Sequence, residues 1–209
     1  MTVPHIAVLD KKGVLRLRDG ASLLQPVDGK TTLADYLRAG AAGEGLATVQ
    51  KLDFYHPAVE NVGQRFFEFK LTSFPDGREA AISDYVEPGK ITALFFWSPK
   101  CPHCKEALPS VNRARAKYKD KVNFISVTQL PTAEAREACS EVMRLFRIDF
   151  PVLVDETGEA SGAYKVVSTP TTVVIQPSGA VSACYFSGEA DYERLFEAEI
   201  GKIAKTARP

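Results

Sequence analysis

Phe95-Phe96-Trp97-Ser98-Pro99-Lys100-Cys101-Pro102-His103-Cys104-Lys105 joins an apolar run to a Cys-x-x-Cys pair through one short turn. The run begins at Ile91 and is apolar at nearly every position, the pattern of a strand covered on both faces. Residues from the cysteines to Tyr118 read as a helix, so the pair stands where a central strand hands over to a helix N-terminus.

A thiol at the first turn of a helix faces N–H groups that lack internal partners and the positive end of the macrodipole, which favours the thiolate. Cys101 is therefore the expected nucleophile. Lys100 and His103 flank it and would add Coulomb attraction, weakened by exposure and salt. Cys104 falls one turn further on the same side, within reach for a disulfide. The spacing implies a cycle in which Cys101 attacks a substrate disulfide and Cys104 resolves the mixed disulfide; run backwards, the cycle oxidises a dithiol. No bound cofactor is implied beyond the redox-active disulfide Cys101–Cys104. Half of a zinc site is the competing reading, but Cys139, Cys184, His5 and His56 offer no second pair at ligand spacing.

Composition frames this motif. The 209 residues correspond to about 1.4 domains at the usual size. A 45% hydrophobic share and 25% charged residues are those of a globular protein. Twenty-six Lys plus Arg cancel twenty-six Asp plus Glu, which leaves no basic field for nucleic acid or an anionic membrane. The apolar stretch from Ile91 to Trp97 is far short of the roughly twenty residues of a membrane span. The first residues lack a basic start, an extended apolar stretch and a cleavage site, so they do not read as a signal peptide; an exported protein would be present here in trimmed form. Four cysteines are too few for a disulfide framework.

Outward from the motif, strand-like and helix-like runs alternate: Lys105 to Tyr118, Val122 to Thr128, Ala133 to Phe146, Phe150 to Val154, Thr171 to Ile175 and Tyr192 to Ala204. This is an α/β order. Upstream, Phe66 to Ile82 reads as a hairpin turning at Pro75-Asp76-Gly77-Arg78 and extending one edge of the sheet. Pro109 lies inside the helix of the cysteines and is expected to kink it.

Residues 1–60 form a separate N-terminal segment ahead of a main domain at 61–209. The segment reads as a strand pair around Gly13 and a short helix from Thr31 to Arg38. Val3-Pro4 to Gly13 lines up with Thr169-Pro170 to Gly179, with glycine nine residues after proline in both and a helical run containing Asp-Tyr beyond. The segment thus looks like a repeat of the closing half of the main domain, strand, hairpin and helix, with a generic strand-turn-strand-helix as the alternative. An upstream domain or a second copy of the chain in a homodimer would supply the missing half.

These residues resemble the thioredoxin-like thiol-disulfide oxidoreductases, and specifically the TlpA and ResA-type branch related to AhpC/TSA proteins. The likeness spans Val62 to Ala204. It rests on Gly89-Lys90, on Trp97 four residues before Cys101, on Pro109 five residues after Cys104, and on Phe150-Pro-Val-Leu-Val-Asp155. Tyr164 to Thr172 followed by Gly179 looks like the family's substrate-facing loop. The resemblance implies a thioredoxin-like α/β fold, a central mixed sheet flanked by helices, with the N-terminal strand-hairpin-helix as an addition. It also implies a cis Thr169-Pro170 bond beside Cys101; Thr169 and Pro170 are supporting residues on that ground, and Trp97, Lys100, Pro102 and His103 are supporting residues by their places around the cysteine pair. Protein thiols and disulfides would be the partners, an apocytochrome or another oxidoreductase among them, and the setting extracytoplasmic, commonly periplasmic.

The sequence departs from the family in one position that matters. Six residues before the first cysteine, where related reductases often carry a buried acid that accepts the resolving thiol's proton, stands Phe95. Glu106 could substitute through water, although a solvated helix carboxylate is the simpler reading. Pro102-His103 resembles the strongly oxidising DsbA proteins whereas the rest resembles reducing ones, so the redox direction stays open. Cys139 and Cys184 read as buried small hydrophobes. Trp97 is either core or a substrate platform with one exposed edge. Two further functions compete with thiol-disulfide exchange: a peroxiredoxin-like peroxidase using Ser98 and Cys101, and a non-catalytic thioredoxin-fold binding module.

Overall fold

The computed structural model describes residues 6–9, 15–19, 56–186 and 191–206. The chain divides into two compact units, Met1–Tyr55 and His56–Pro209. In the first, β1 (Ile6–Leu9) and β2 (Leu15–Asp19) pair antiparallel, with Ile6 opposite Asp19 and a register shift after Val8. That is the strand pair expected around Gly13; the helix expected at Thr31 to Arg38 and the rest of the repeat lie outside the described residues.

The second unit starts at His56, a few residues ahead of the boundary read from sequence. Its strands are β3 (Lys70–Phe74), β4 (Glu79–Ala81), β5 (Ile91–Phe96), β6 (Val122–Thr128), β7 (Val152–Val154), β8 (Thr171–Ile175) and β9 (Val181–Tyr185). They form one mixed sheet in the order β4-β3-β7-β6-β5-β8-β9. The helices are α1 (Pro102–Tyr118), α2 (Ala133–Phe146), α3 (Glu159–Ala163) and α4 (Tyr192–Thr206). The β3–β4 hairpin lies at the sheet's edge as expected. Its Phe74–Pro75 bond is cis, which no sequence signal distinguished from trans. The short α3 was not foreseen.

β5 and β6 are the central strands because both faces are covered. Every residue of β5 is buried. Ala93, Phe95 and Val174 share a core cluster with Leu108 and Val111 of α1, Val142 of α2 and Phe196 of α4. Leu94, Phe96 and Val173 belong to the opposite cluster with Phe69, Ile82, Ala160 and Tyr164. Apolar residues at successive strand positions thus point alternately into two cores, which is why the run does not alternate with polar residues. α1 continues through Pro109 to Tyr118, with a proline that is itself exposed. Thr132 caps α2 by accepting the Ala135 N–H, which fixes the start of that helix at Ala133.

Candidate active site

β5 runs parallel to β6 and antiparallel to β8, with Phe96 opposite Thr171. The C-terminal end of β5, where the cysteines follow, is therefore next to the N-terminal end of β8, where Thr169-Pro170 precede. Topology alone brings together two segments almost seventy residues apart in the chain.

Cys101 is the N-cap of α1, with extended backbone (φ −82°, ψ 116°), and Pro102 occupies the first helical turn. Sulfur takes the role usually filled by a hydroxyl or carboxylate: Sγ of Cys101 accepts the backbone N–H of Cys104 at 3.1 Å. The same Sγ lies 3.4 Å from the carbonyl oxygen of Thr169. The Thr169–Pro170 bond is cis, as the resemblance implied; Pro170 is buried and Thr169 half-buried.

The loop that delivers Thr169 is anchored by Asp155. Its buried carboxylate accepts the N–H groups of Ala160 at 3.3 Å and Ser161 at 2.8 Å, together with the Ser161 hydroxyl at 2.7 Å, and so holds the start of α3. Tyr164, also buried, then accepts the Phe67 N–H at its hydroxyl.

Cys101 is half-buried and Cys104 fully buried. Burial, reinforced by the hydrogen bond with Cys101, pushes the Cys104 thiol up to about 12. Phe95, at the position where an acid was expected by resemblance, is fully buried and presents its ring to Phe124 and Tyr192. Cys104 belongs to the same buried cluster as these three aromatic rings.

Other site residues fall differently from the sequence reading. His103 and Lys100 are exposed, and the imidazole of His103 pairs with Glu106 at 2.9 Å. Glu106 is correspondingly a surface partner of His103. Trp97 is only 2% exposed, so it has no open edge; it forms part of the wall of a groove. That groove, of about 460 Å³, is lined by Trp97, Lys100, Thr128, Thr132, Val167 and Thr169 among others. Cys139 and Cys184 are apart from the pair: burial pushes their thiols to about 11 and about 12, and Cys184 donates to the Ala58 carbonyl. Among the described residues, no three His, Cys, Asp or Glu side chains are grouped to hold a metal ion, and no helix is long and apolar enough to cross a membrane.

One neighbour of the loop escaped sequence reading. His56 is fully buried and its Nε2 lies 3.3 Å from Oγ1 of Thr171. The only local signal was His56-Pro57, a cap followed by a first-turn proline, opening the short 3-10 helix Pro57–Asn61.

Residues 62–184 match the model of the AhpC/TSA family. Thiol-disulfide oxidoreductase ResA of Bacillus thuringiensis subsp. konkukian is 29% identical over 136 residues, covering 65% of this chain and 75% of the relative. Thioredoxin-like protein YneN of Bacillus subtilis is 25% identical over 119 residues, 57% of this chain and 68% of the relative. Among solved structures, the thioredoxin domain of a thiol-disulfide oxidoreductase from Bacteroides vulgatus matches with a TM-score of 0.58 at 17% identity, over 66% of this chain and 97% of that one. The family match over more than half of the chain and the thioredoxin-type fold agree, and the chain belongs to the AhpC/TSA family as a thiol-disulfide oxidoreductase.

Proposed function

We propose that Cys101 and Cys104 carry the exchange and that the substrates are protein thiols and disulfides offered as extended strands beside Pro170. The observation that carries this reading is the placement of the Cys101 sulfur between a helix-start N–H and the Thr169 carbonyl, with the second thiol one turn behind it.

In the reductive direction the Cys101 thiolate attacks one sulfur of a substrate disulfide; the substrate S–S bond breaks, a Cys101–substrate disulfide forms and the other substrate sulfur leaves as thiolate. Cys104 then loses its proton and attacks Cys101 Sγ. The Cys101–Cys104 bond forms and the second substrate thiolate leaves; with the proton released by Cys104 and one from solvent, the substrate has gained two electrons and two protons. The reverse sequence oxidises a substrate dithiol.

The burial of Cys104 keeps the resolving thiol protonated until a mixed disulfide is in place, which gives the two cysteines distinct roles. The groove beside Thr169 gives room for the residues that flank a substrate cysteine. An apocytochrome or another oxidoreductase would present such a strand, in an extracytoplasmic compartment.

Cys101→Ser should abolish both insulin reduction and dithiol oxidation, and Cys104→Ala should accumulate mixed disulfides that identify the partners. Unchanged activity in Cys101→Ser would refute the assignment.

A further inference from the structure

We infer that His56 is a positioning residue for the substrate-facing loop: its imidazole holds Thr171, and through it Ser168 to Pro170, in place against Cys101. The inference rests on the thiol-exchange reading and adds a residue to it.

The hydrogen bonds at the ring's two nitrogens fit a neutral imidazole protonated on Nε2. Nδ1 accepts the Ala58 N–H at 3.2 Å, so in a neutral imidazole the proton is on Nε2. Nε2 faces Oγ1 of Thr171 at 3.3 Å. The Thr171 hydroxyl donates its single hydrogen to the Ser168 carbonyl at 2.7 Å, which leaves its oxygen to accept from Nε2–H. The chain runs Ala58 N–H, imidazole, Thr171 hydroxyl, Ser168 carbonyl. The next residue is Thr169, whose own carbonyl meets the Cys101 sulfur.

The ring's plane is fixed as well. Phe186 stacks on it at 4.0 Å and 10°. Burial holds its pKa down at about 4, so the neutral form that the hydrogen bonds require is the one present near neutrality. The two ends of the imidazole therefore serve different masters. Nδ1 stabilises the turn at Pro57–Asn61, and Nε2 reaches a loop 115 residues away. Only the second contact bears on the geometry at Cys101, where a misplacement of substrate-binding backbone is felt as a loss of rate.

Asn and Gln separate the two ends. Asn keeps an acceptor where Nδ1 was, and Gln keeps a donor where Nε2 was. The full chain and its His56→Asn, His56→Gln and Thr171→Val variants would be compared in kcat/KM for insulin and in reaction rate with Ellman's reagent, a small disulfide with no peptide backbone. His56→Asn and Thr171→Val should lower the insulin value by roughly five- to tenfold, the scale of one buried positioning hydrogen bond, and leave Ellman's reagent within about twofold. His56→Gln should restore most of the insulin rate. Wild-type insulin kinetics in both His56→Asn and Thr171→Val, or an equal fall for both disulfides, overturns the positioning role. Should His56→Asn fail to fold, the near-isosteric Thr171→Val decides alone. A wild-type protein that reduces neither disulfide overturns the exchange reading itself, a result distinct from either variant outcome.

Discussion

Nδ1 of His103 lies 2.9 Å from Oε2 of Glu106, one turn along α1, with the two side chains 73% and 59% exposed. The histidine between the cysteines thus directs a ring nitrogen to a carboxylate. Glu106→Gln removes a negative charge one turn along the helix that Cys101 caps, which favours the thiolate at Cys101 and hence the reduced form. The expected result is a redox potential shifted in the oxidising direction by no more than about 20 mV, since the pair is solvated and screened. Equilibration with glutathione buffers reads this directly; a shift in the reducing direction would show that repulsion by the Glu106 carboxylate is not what sets the potential.

The four cysteines should separate cleanly by reactivity. Cys104 and Cys139 are fully buried, and burial raises the thiols of Cys104, Cys139 and Cys184 to about 12, about 11 and about 12. Iodoacetamide added to the reduced protein at about pH 7.5 should therefore modify Cys101 first, because the thiolate is the reacting species. Peptide mapping against time checks the order, and urea should erase it. Labelling of Cys184 as fast as Cys101 would contradict the burial argument.

Elements with a local signature are legible in the sequence. Val122–Thr128 and Ala133–Phe146 appear with the bounds read from sequence, because an unbroken apolar run and a capped helix each carry their own punctuation. Cys101, Cys104 and Pro170 were legible for a different reason: a motif and its spacing, together with a family resemblance. What was not legible depends on long-range placement. His56 acquires its role from Thr171, and nothing near either residue announces the other. The pairing of His103 with Glu106 was likewise not legible, because the helix start dictates the backbone position of His103 but not its rotamer.

Phe95 should bear more of the stability than any polar residue at the site. Its buried ring packs against Phe124 at 5.8 Å and Tyr192 at 6.1 Å between centroids. Phe95→Ala leaves a cavity that neighbouring aromatic rings cannot fill, at a cost of about 3–5 kcal/mol in urea unfolding. Cys104 belongs to the same core cluster, so loosening it should also speed alkylation of that thiol. A loss below about 1 kcal/mol would mean that the wall collapses into the space.

His56 should give the protein an acid-sensitive stability term. Burial lowers its folded pKa from 6.5 to about 4. As pH falls below 6.5 the unfolded chain takes up a proton that the folded ring still refuses, so this contribution is complete above 6.5 and is lost as pH falls through about 4. One proton bounds the slope at about 1.4 kcal/mol per pH unit. His56→Gln keeps the contact to Thr171 but cannot titrate, so its stability relative to wild type should improve steadily between about pH 6.5 and 4. Urea unfolding of both proteins across that range makes the comparison, with the difference isolating one residue from the carboxylates that titrate in both. A constant difference from neutrality down to about pH 4.5 would show that the ring is not held neutral, and the tautomer that links Ala58 to Thr171 would lose its basis.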